Sequence, residues 1–172
     1  RKTIAPSVAE FKILPLLRDT LMQLVTADMG LTQEINKREC LAILPPLFYI
    51  SAQEYKDNDT MGVDKEKQQG FFQKEIGPLL HHLFRVNDRA VRGALLSRMQ
   101  FFAANLDAPM LNSAVFEPMC SGFSDSSSAL RELTLKSAIA LVSVLTTANL
   151  EKLTRYLVRL QSDPENGIRT NT

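Results

Sequence analysis

The sequence has little of what β-sheets and membrane spans require. It contains only seven glycines among 172 residues, and few apolar residues alternate with polar ones as they do in half-buried strands. No apolar stretch approaches the ~20 residues of a membrane-spanning helix, and no signal segment with a basic start and an apolar core opens the chain. The sequence therefore predicts an intracellular helical protein.

A surplus of charge of one sign is also missing, and cysteine is scarce. Twenty basic residues stand against nineteen acidic ones, a formal net charge of +1, so any nucleic-acid or membrane-surface binding must be local. The two cysteines, Cys40 and Cys120, are far apart and have apolar neighbours, which is typical of buried thiols in a reducing compartment. Nothing in the sequence supports the alternatives, a disulfide or a metal ligand.

Motifs for catalysis are missing as well. His81 and His82 are the only histidines, and adjacent helical residues point about 100° apart, so this pair does not chelate one metal from one face. Ser121 and Ser124 lie near Asp125, but no histidine is close in sequence, and helix capping explains them better than a catalytic triad does. The sequence therefore predicts no enzyme activity in this chain and no catalytic, cofactor-binding or metal-binding residues.

What the sequence does contain is the spacing of amphipathic helices. Apolar residues follow one another at intervals of three or four, which places them on one face of a helix. One series predicts a single long helix through Val91, Leu95, Met99, Phe102 and Leu106. Another helix, from about Leu130 to Leu145, is apolar on more than one side, so we expect neighbours to cover it on two flanks.

A period of about 40 residues organises these helices. Arg131 lies 39 positions after Arg92, and Arg169 lies 38 positions after Arg131. Arg38 extends the series backwards once a polar insert of about 15 residues is removed. Apolar stripes alone would fit a generic helical bundle, so this recurrence is what favours a solenoid.

Prolines recur at matching places in this period. Pro15, Pro78 and Pro118 each fall in the first helix of a copy, where a proline removes one helical hydrogen bond and bends the helix. Pro45–Pro46 departs from the pattern because it lies inside a second helix, where it predicts a kink or an early stop.

Aspartates recur in the turns that link the helices. Asp125 stands six positions before Arg131, and Asp163 stands six positions before Arg169. This is similar to the HEAT pattern, in which a turn aspartate and an arginine at a helix start form a ladder along the stack. The corresponding positions of the earlier copies hold valine and threonine, so we expect the ladder only in the C-terminal half.

The fold prediction is an all-α, HEAT-type α-solenoid of about three complete helix pairs and a truncated fourth. Its parts are repeat 1 at about 7–55, a polar insert at 56–70, repeat 2 at about 71–106, repeat 3 at about 108–146 and truncated repeat 4 at 149–172. We expect the insert to be a mobile loop, because lengthening a surface loop costs little closure entropy. The chain starts at Arg1 without a methionine and ends inside a helix start, so both ends are expected to be cuts in a longer polypeptide.

Several strings, in this order and spacing, resemble the HEAT region of the Scy-like (SCYL) family. They are Phe11–Pro15, Ser51–Tyr55, Asn87–Arg92, Ala129–Ser137, Ala148–Leu150, Leu157–Gln161 and Gly167–Thr172. The resemblance covers nearly the whole chain. The insert is longer than the family pattern and is interpreted as a lineage-specific addition.

The resemblance implies a kinase-like domain, usually described as a pseudokinase, upstream of Arg1. It implies that this chain is a scaffold or adaptor for protein partners, such as coat subunits, in vesicle traffic at the Golgi and endosomes. An RNA-binding scaffold in nuclear export of transfer RNA, located at the nuclear envelope, is the alternative. No Gly-rich loop, His-Arg-Asp or Asp-Phe-Gly motif occurs in the sequence, so we expect no phosphate chemistry in this chain.

Two groups of basic residues are candidates for binding. Lys152, Arg155 and Arg159 step by three and four along one helix face, which suits an acidic partner or a phosphate backbone, since clustered positive charge raises affinity. A second group surrounds a repeat turn: Arg85, Arg89, Arg92 and Arg98. The alternative for both groups is a solvated face, with Arg92 and Arg131 acting structurally.

Overall fold

The computed structural model describes residues 12–28, 30–53, 70 and 72–172, and within them every regular element is helical. The predicted start of repeat 1 and almost all of the predicted polar insert lie outside the described residues. Two compact units divide the chain, Arg1–Val91 and Arg92–Thr172.

The N-terminal unit is built around α1 (Leu14–Ala27), which packs against both α2 (Glu34–Gln53) and α3 (Gly77–Leu83). Its core includes Leu21, Leu44 and Leu79, one from each helix, and none of these side chains is more than 1% exposed. The predicted early stop at Pro45–Pro46 is wrong, because α2 continues to Gln53. Both prolines are exposed, so water reaches the carbonyl groups that lose their amide donors.

The C-terminal unit is a succession of short helices. They are α4 (Arg89–Leu96, which begins just before the unit boundary), α5 (Met99–Asn105), α6 (Ala108–Met110), a π-helix (Leu111–Phe116), α7 (Glu117–Met119), a 3-10 helix (Cys120–Ser124), α8 (Ser128–Ile139), a 3-10 helix (Val142–Val144), α9 (Thr147–Leu160) and α10 (Asn166–Thr170). Helix α8 packs against the 3-10 helix Cys120–Ser124 and against α10.

The single helix predicted through Val91 and Leu106 is two helices, α4 and α5, separated by a turn at Ser97 and Arg98. The Ser97 hydroxyl and the Ser97 N–H both donate to the Gly93 carbonyl, at 2.7 and 3.0 Å, and such an additional side-chain bond often bends a helix. The predicted apolar stripe is nevertheless buried, with Val91 and Leu106 at 0% and 4% exposed. The break therefore preserves the phase of the stripe.

The helix predicted from Leu130 to Leu145 is also shorter than expected. Helix α8 ends at Ile139, and a turn leads into the 3-10 helix Val142–Val144. The β-branched side chains of this segment disfavour further α-helix. The expected cover on two flanks is wrong here, because Ile139 is 67% exposed and Val142 is 46% exposed.

The three recurring prolines occupy the second position of an α-helix. Pro15, Pro78 and Pro118 lie in the first turns of α1, α3 and α7, where a missing N–H costs least. The π-helix Leu111–Phe116 immediately precedes α7. Its wider turns give the ring of Pro118 room beside the preceding carbonyl groups. The prolines therefore coincide with joints between helical segments.

One close contact joins the 3-10 helix Cys120–Ser124 to α8. Gly122 is buried against Thr134, whose side chain is 0% exposed and whose hydroxyl donates to the Leu130 carbonyl at 2.7 Å. A Cβ atom added to Gly122 would collide with that hydroxyl and lie 3.2 Å from the Thr134 Cβ and Cγ2 atoms. Only glycine fits here without displacement of α8.

We predict that Gly122→Ala destabilises the protein by about 1–3 kcal/mol, because an added methyl group overpacks a filled site. Urea unfolding followed by circular dichroism measures the change. Adding Thr134→Ala, which removes the hydroxyl in the way, is expected to restore most of the loss. Gly167→Ala is the control, since nothing lies within 4 Å of its Cβ position. An unchanged midpoint for Gly122→Ala would contradict this account.

Candidate functional site

An aspartate caps the turn before each of four helices. Asp28 precedes α2, Asp88 precedes α4, Asp125 precedes α8 and Asp163 precedes α10. Each carboxylate accepts hydrogen bonds from backbone N–H groups shortly after it, at distances between 2.8 and 3.0 Å. These bonds occupy amide donors that the start of a helix leaves without internal partners.

The surroundings of three of these carboxylates, Asp28, Asp88 and Asp163, favour the ionised form. The backbone N–H groups of Gln33 and Thr32 lower the pKa of Asp28 from 3.8 to about 2. The Arg131 side chain lowers the pKa of Asp163. Burial raises the pKa of Asp88, but hydrogen bonds, above all from the Lys37 ammonium, outweigh it and leave that pKa lowered. Each charge therefore stabilises the folded turn.

In the C-terminal unit, two arginines reach the carboxylate of the next turn along the chain. Arg131 Nε and Nη2 donate to Asp163 Oδ2 and Oδ1 at 2.7 and 2.9 Å. Arg92 Nη1 donates to Asp125 Oδ2 at 3.2 Å. Arg131 Nη1 also donates to the Asp125 backbone carbonyl at 2.9 Å, so one guanidinium group joins two successive turns. These four side chains are between 4% and 13% exposed.

Arg169 makes only the contact within its own turn. Its Nη1 donates to the backbone carbonyls of Asp163 and Pro164 at 2.5 and 2.9 Å, and its Nη2 donates to Asn166 Oδ1 at 3.2 Å. Within the described residues, no carboxylate oxygen lies at ion-pair distance from Arg169. Its role in a ladder remains a prediction.

A corresponding ion pair also lies in the N-terminal unit, where the sequence predicted none. Lys37 Nζ lies 2.8 Å from Asp88 Oδ2. Arg38, which the period selected, instead pairs with Glu34 of its own helix and is 77% exposed. Asp88 does not fit the six-residue spacing between turn aspartate and helix-start arginine, because it stands four positions before Arg92.

A buried amide pair forms a second polar link in the C-terminal unit. Asn149 Nδ2 of α9 donates to Asn112 Oδ1 of the π-helix at 2.8 Å, and the Thr146 N–H donates to the same oxygen at 2.9 Å. Asn112 Nδ2 donates to the carbonyls of Ala108 and Val144 at 2.7 and 2.9 Å. Both asparagines are 8% exposed. Their separation of 37 residues, close to the repeat period, was the available signal.

Of the three basic residues predicted to form a strip on α9, Lys152, Arg155 and Arg159, one is engaged in an ion pair. Lys152 Nζ pairs with Glu117 Oε2, and this hydrogen bond raises the pKa of Lys152. Arg155 and Arg159 are exposed, and neither forms an ion pair within the described part of the chain. The Arg159 guanidinium lies 6.0 Å from the centre of the Tyr156 ring. The Tyr156 ring is half-buried and stacks on the Phe123 ring, and an arginine beside such a ring suits an anionic partner.

The second group of basic residues has mixed surroundings. Arg85, Arg89 and Arg98 are exposed, whereas the side chain of Arg92 is 13% exposed and paired with Asp125. Of this group, Arg98 lines an open groove in the C-terminal unit.

The groove has a volume of about 480 Å³. Residues 96–101, from the end of α4 into α5, form one wall, and Leu133, Lys136, Ser137 and Ala140 form the other. The Ser137 hydroxyl lies 3.0 Å from the Leu96 carbonyl, a group at the end of α4 that has no donor within its own helix. The sequence did not predict this groove. The turn at Ser97 and Arg98 forms part of its wall, but the helical spacing of the apolar residues continues unchanged across that turn.

The remaining candidates show no reactive arrangement. Burial raises the pKa of Cys40 and of Cys120 to about 11, so both thiols stay protonated near neutral pH. His81 is half-buried and burial lowers its pKa, whereas His82 faces water. Among the described residues, no cluster of three or more His, Cys, Asp or Glu side chains could hold a metal ion. No described helix has the length and apolar character to cross a membrane.

The chain is similar to a curated protein and to a solved structure, although no family model matches it. The chain is 29% identical over 167 residues to the probable inactive serine/threonine-protein kinase scy1 of Dictyostelium discoideum. It also resembles the crystal structure of Cex1p, with a TM-score of 0.74 and 26% identity. The matches cover 96% and 94% of this chain but only 17% and 27% of those proteins. They confirm the all-α, HEAT-type solenoid class and indicate a non-catalytic helical scaffold.

The capping charge at Asp28 makes a testable contribution to stability. We predict that Asp28→Asn lowers stability at neutral pH, because the asparagine still caps α2 but lacks the charge. Since folding lowers the pKa from 3.8 to about 2, the contribution is complete above about pH 4. It is lost as the pH falls through about 2, so the two proteins are expected to converge there.

Urea midpoints measured from pH 7 to pH 2 test this prediction. Asp19→Asn is the control for the loss of one negative charge, because Asp19 lies on the exposed side of α1, where it pairs with Arg18 and caps no helix. A constant difference between Asp28→Asn and the unsubstituted chain at every pH would show that the charge is not the cause.

Proposed function

Because the chain is similar over almost its whole length to the HEAT-repeat region of the Scy-like family, we propose that it binds protein partners in intracellular vesicle traffic. It is the scaffold region of a kinase-like protein whose kinase-like domain is inactive. Its partners are coat subunits, and it acts in the cytoplasm at Golgi or endosomal membranes. The Dictyostelium relative is itself named as an inactive kinase, which supports a non-catalytic role.

One observation carries the proposal: apolar side chains are exposed at the end of α8, next to the groove. Ile139 and Val142 are 67% and 46% exposed, and Ala140, between them in sequence, lines the groove. Single exposed apolar residues are common on soluble proteins, but apolar residues grouped beside a concave surface mark sites of protein association. We assign the coat contact to this end of α8.

The contacts of Arg131, near the start of α8, support the same assignment. The Arg131 guanidinium is held by the Asp163 carboxylate and by the Asp125 carbonyl. Arg131 lies in the first turn of α8, so the helix start is fixed against two neighbouring turns. A binding face on a rigid element loses little conformational entropy when a partner docks.

We predict that replacing Ile139 and Val142 with aspartate reduces capture of coat subunits several-fold without unfolding the chain. The expected cause is desolvation of two introduced charges in an apolar contact. Immobilised chain, incubated with cell extract and analysed by mass spectrometry for coat subunits, provides the measurement.

Val158→Asp is the matched control, because Val158 is 59% exposed and lies on α9 outside the groove. Equal loss in this control would remove the assignment to α8. Absence of coat subunits from the unsubstituted capture would contradict the trafficking proposal itself.

A second function, an RNA-binding scaffold in nuclear export of transfer RNA, is favoured by the arginines of α9. Arg155 and Arg159 are exposed and neither has an ion-pair partner among the described residues, and Tyr156 lies beside Arg159. Two free guanidinium groups one helical turn apart can contact neighbouring phosphates. Lys152 is already paired with Glu117, so it is left out of this surface.

If this second function is correct, Arg155→Glu combined with Arg159→Glu weakens transfer RNA binding and makes it less sensitive to salt. Loss of two phosphate contacts is expected to reduce the slope of log affinity against log salt by about two. Electrophoretic shifts at several salt concentrations measure both effects. The control reverses two exposed charges in the N-terminal unit, Arg38→Glu and Lys74→Glu. Similar weakening by both pairs of substitutions would leave only nonspecific charge attraction.

A further inference from the structure

We propose that the groove between α5 and α8 binds an acidic segment of a partner protein, with an apolar side chain of that segment inserted into the groove. This inference rests on the proposed scaffold function and adds the chemical class of the partner. It is carried by the combination of apolar and cationic residues that line one preformed cavity of about 480 Å³.

About half of the groove lining is apolar. Leu96 and Met99 are each 2% exposed and form part of the lining. Phe101, Leu133 and Ala140 are partly exposed, so their surfaces remain open to a ligand. An inserted leucine or phenylalanine side chain would remove this apolar surface from water.

The charges of the groove have one sign. Arg98 on the α5 wall and Lys136 on the α8 wall are the only charged residues among those that line it. Both side chains are exposed. Lys136 pairs with Glu132 one turn earlier at 2.6 Å, and the two side chains are 60% and 39% exposed. An exposed pair of this kind is weak, so a partner carboxylate can compete for the ammonium group.

One polar contact between the walls exists before any partner binds. Ser137 is buried, and its hydroxyl lies 2.7 Å from the Leu133 carbonyl of its own helix and 3.0 Å from the Leu96 carbonyl at the end of α4. The turn at Ser97 and Arg98 then redirects the chain into α5. A cavity whose walls are already ordered spares the partner much of the entropic cost of binding.

An acidic peptide fits this groove better than a nucleic acid does. A phosphate backbone is usually neutralised by many cations and by aromatic residues that stack on its bases. The groove offers two cations, one on each wall, and apolar surface over about half of its lining. Electrostatic complementarity at two points, with an apolar anchor between them, is typical of peptide recognition.

Three synthetic peptides of equal length test the proposal, each with a central leucine flanked by glutamates, serines or lysines. Fluorescence anisotropy with the 172-residue chain measures affinity, and backbone amide shifts in NMR spectra locate the contact. The acidic peptide is expected to bind best and to shift residues 96–101 and 133–140. Arg98→Glu with Lys136→Glu is expected to weaken its binding by about tenfold and to favour the lysine peptide instead.

Arg38→Glu with Lys74→Glu is the control, because it makes the same charge change at two exposed residues of the N-terminal unit. If the groove variant unfolds, Arg98→Gln with Lys136→Gln replaces it, with a smaller loss expected. Equal binding of the serine peptide would overturn the proposal. So would shifts confined to α9, or an oligonucleotide that displaces the acidic peptide from the groove.

The coat-capture experiment separates this inference from the function on which it rests. Capture that depends on Ile139 and Val142 but survives reversal of Arg98 and Lys136 overturns the acidic partner and leaves the scaffold function in place. Capture that fails with the unsubstituted chain overturns the scaffold function. Loss of capture in both variants supports the acidic partner.

Discussion

The C-terminal unit depends on the two-point contact between the Arg131 guanidinium and the Asp163 carboxylate. The same carboxylate accepts the N–H of Glu165, and the same guanidinium reaches back to the Asp125 carbonyl. One ion pair therefore fixes the geometry inside each turn and the spacing between the turns. Either partner left alone would be a poorly solvated charge, so the contact specifies the arrangement as well as stabilising it.

The buried asparagine pair restrains the unit at a separate place. Asn149 Nδ2 donates to Asn112 Oδ1, which also accepts the Thr146 N–H, and Asn112 Nδ2 donates to the Val144 carbonyl. Apolar packing alone would let helices slide, because dispersion contacts have no strong direction. The asparagine link holds α9 against the π-helix Leu111–Phe116. The Arg131 contacts hold the start of α8, the helix that forms one wall of the groove.

Local and tertiary effects can be separated at particular residues. The sequence predicts that Val91 and Leu106 are buried, because both belong to a series of apolar residues spaced three or four apart, and such a series forms the buried face of a helix. The break at Ser97 and Arg98 keeps that phase, so the spacing of the apolar residues does not indicate the break. The groove beside the break therefore cannot be predicted from the spacing. The repeat period locates a position only to within about one residue, and it indicated Arg38 where Lys37 makes the ion pair with Asp88. One residue matters because adjacent helical side chains point about 100° apart.

The sequence by itself determined the all-α class, the period of about 40 residues, the buried faces and the recurrence of turn aspartates and arginines. These follow from intervals along one chain, and intervals are local information. Only the tertiary structure decided which cation meets which carboxylate. Lys152 pairs with Glu117, 35 residues away, whereas Arg155 and Arg159 face water. Ion pairing depends on distances of a few ångströms between side chains far apart in sequence, and packing alone sets those distances.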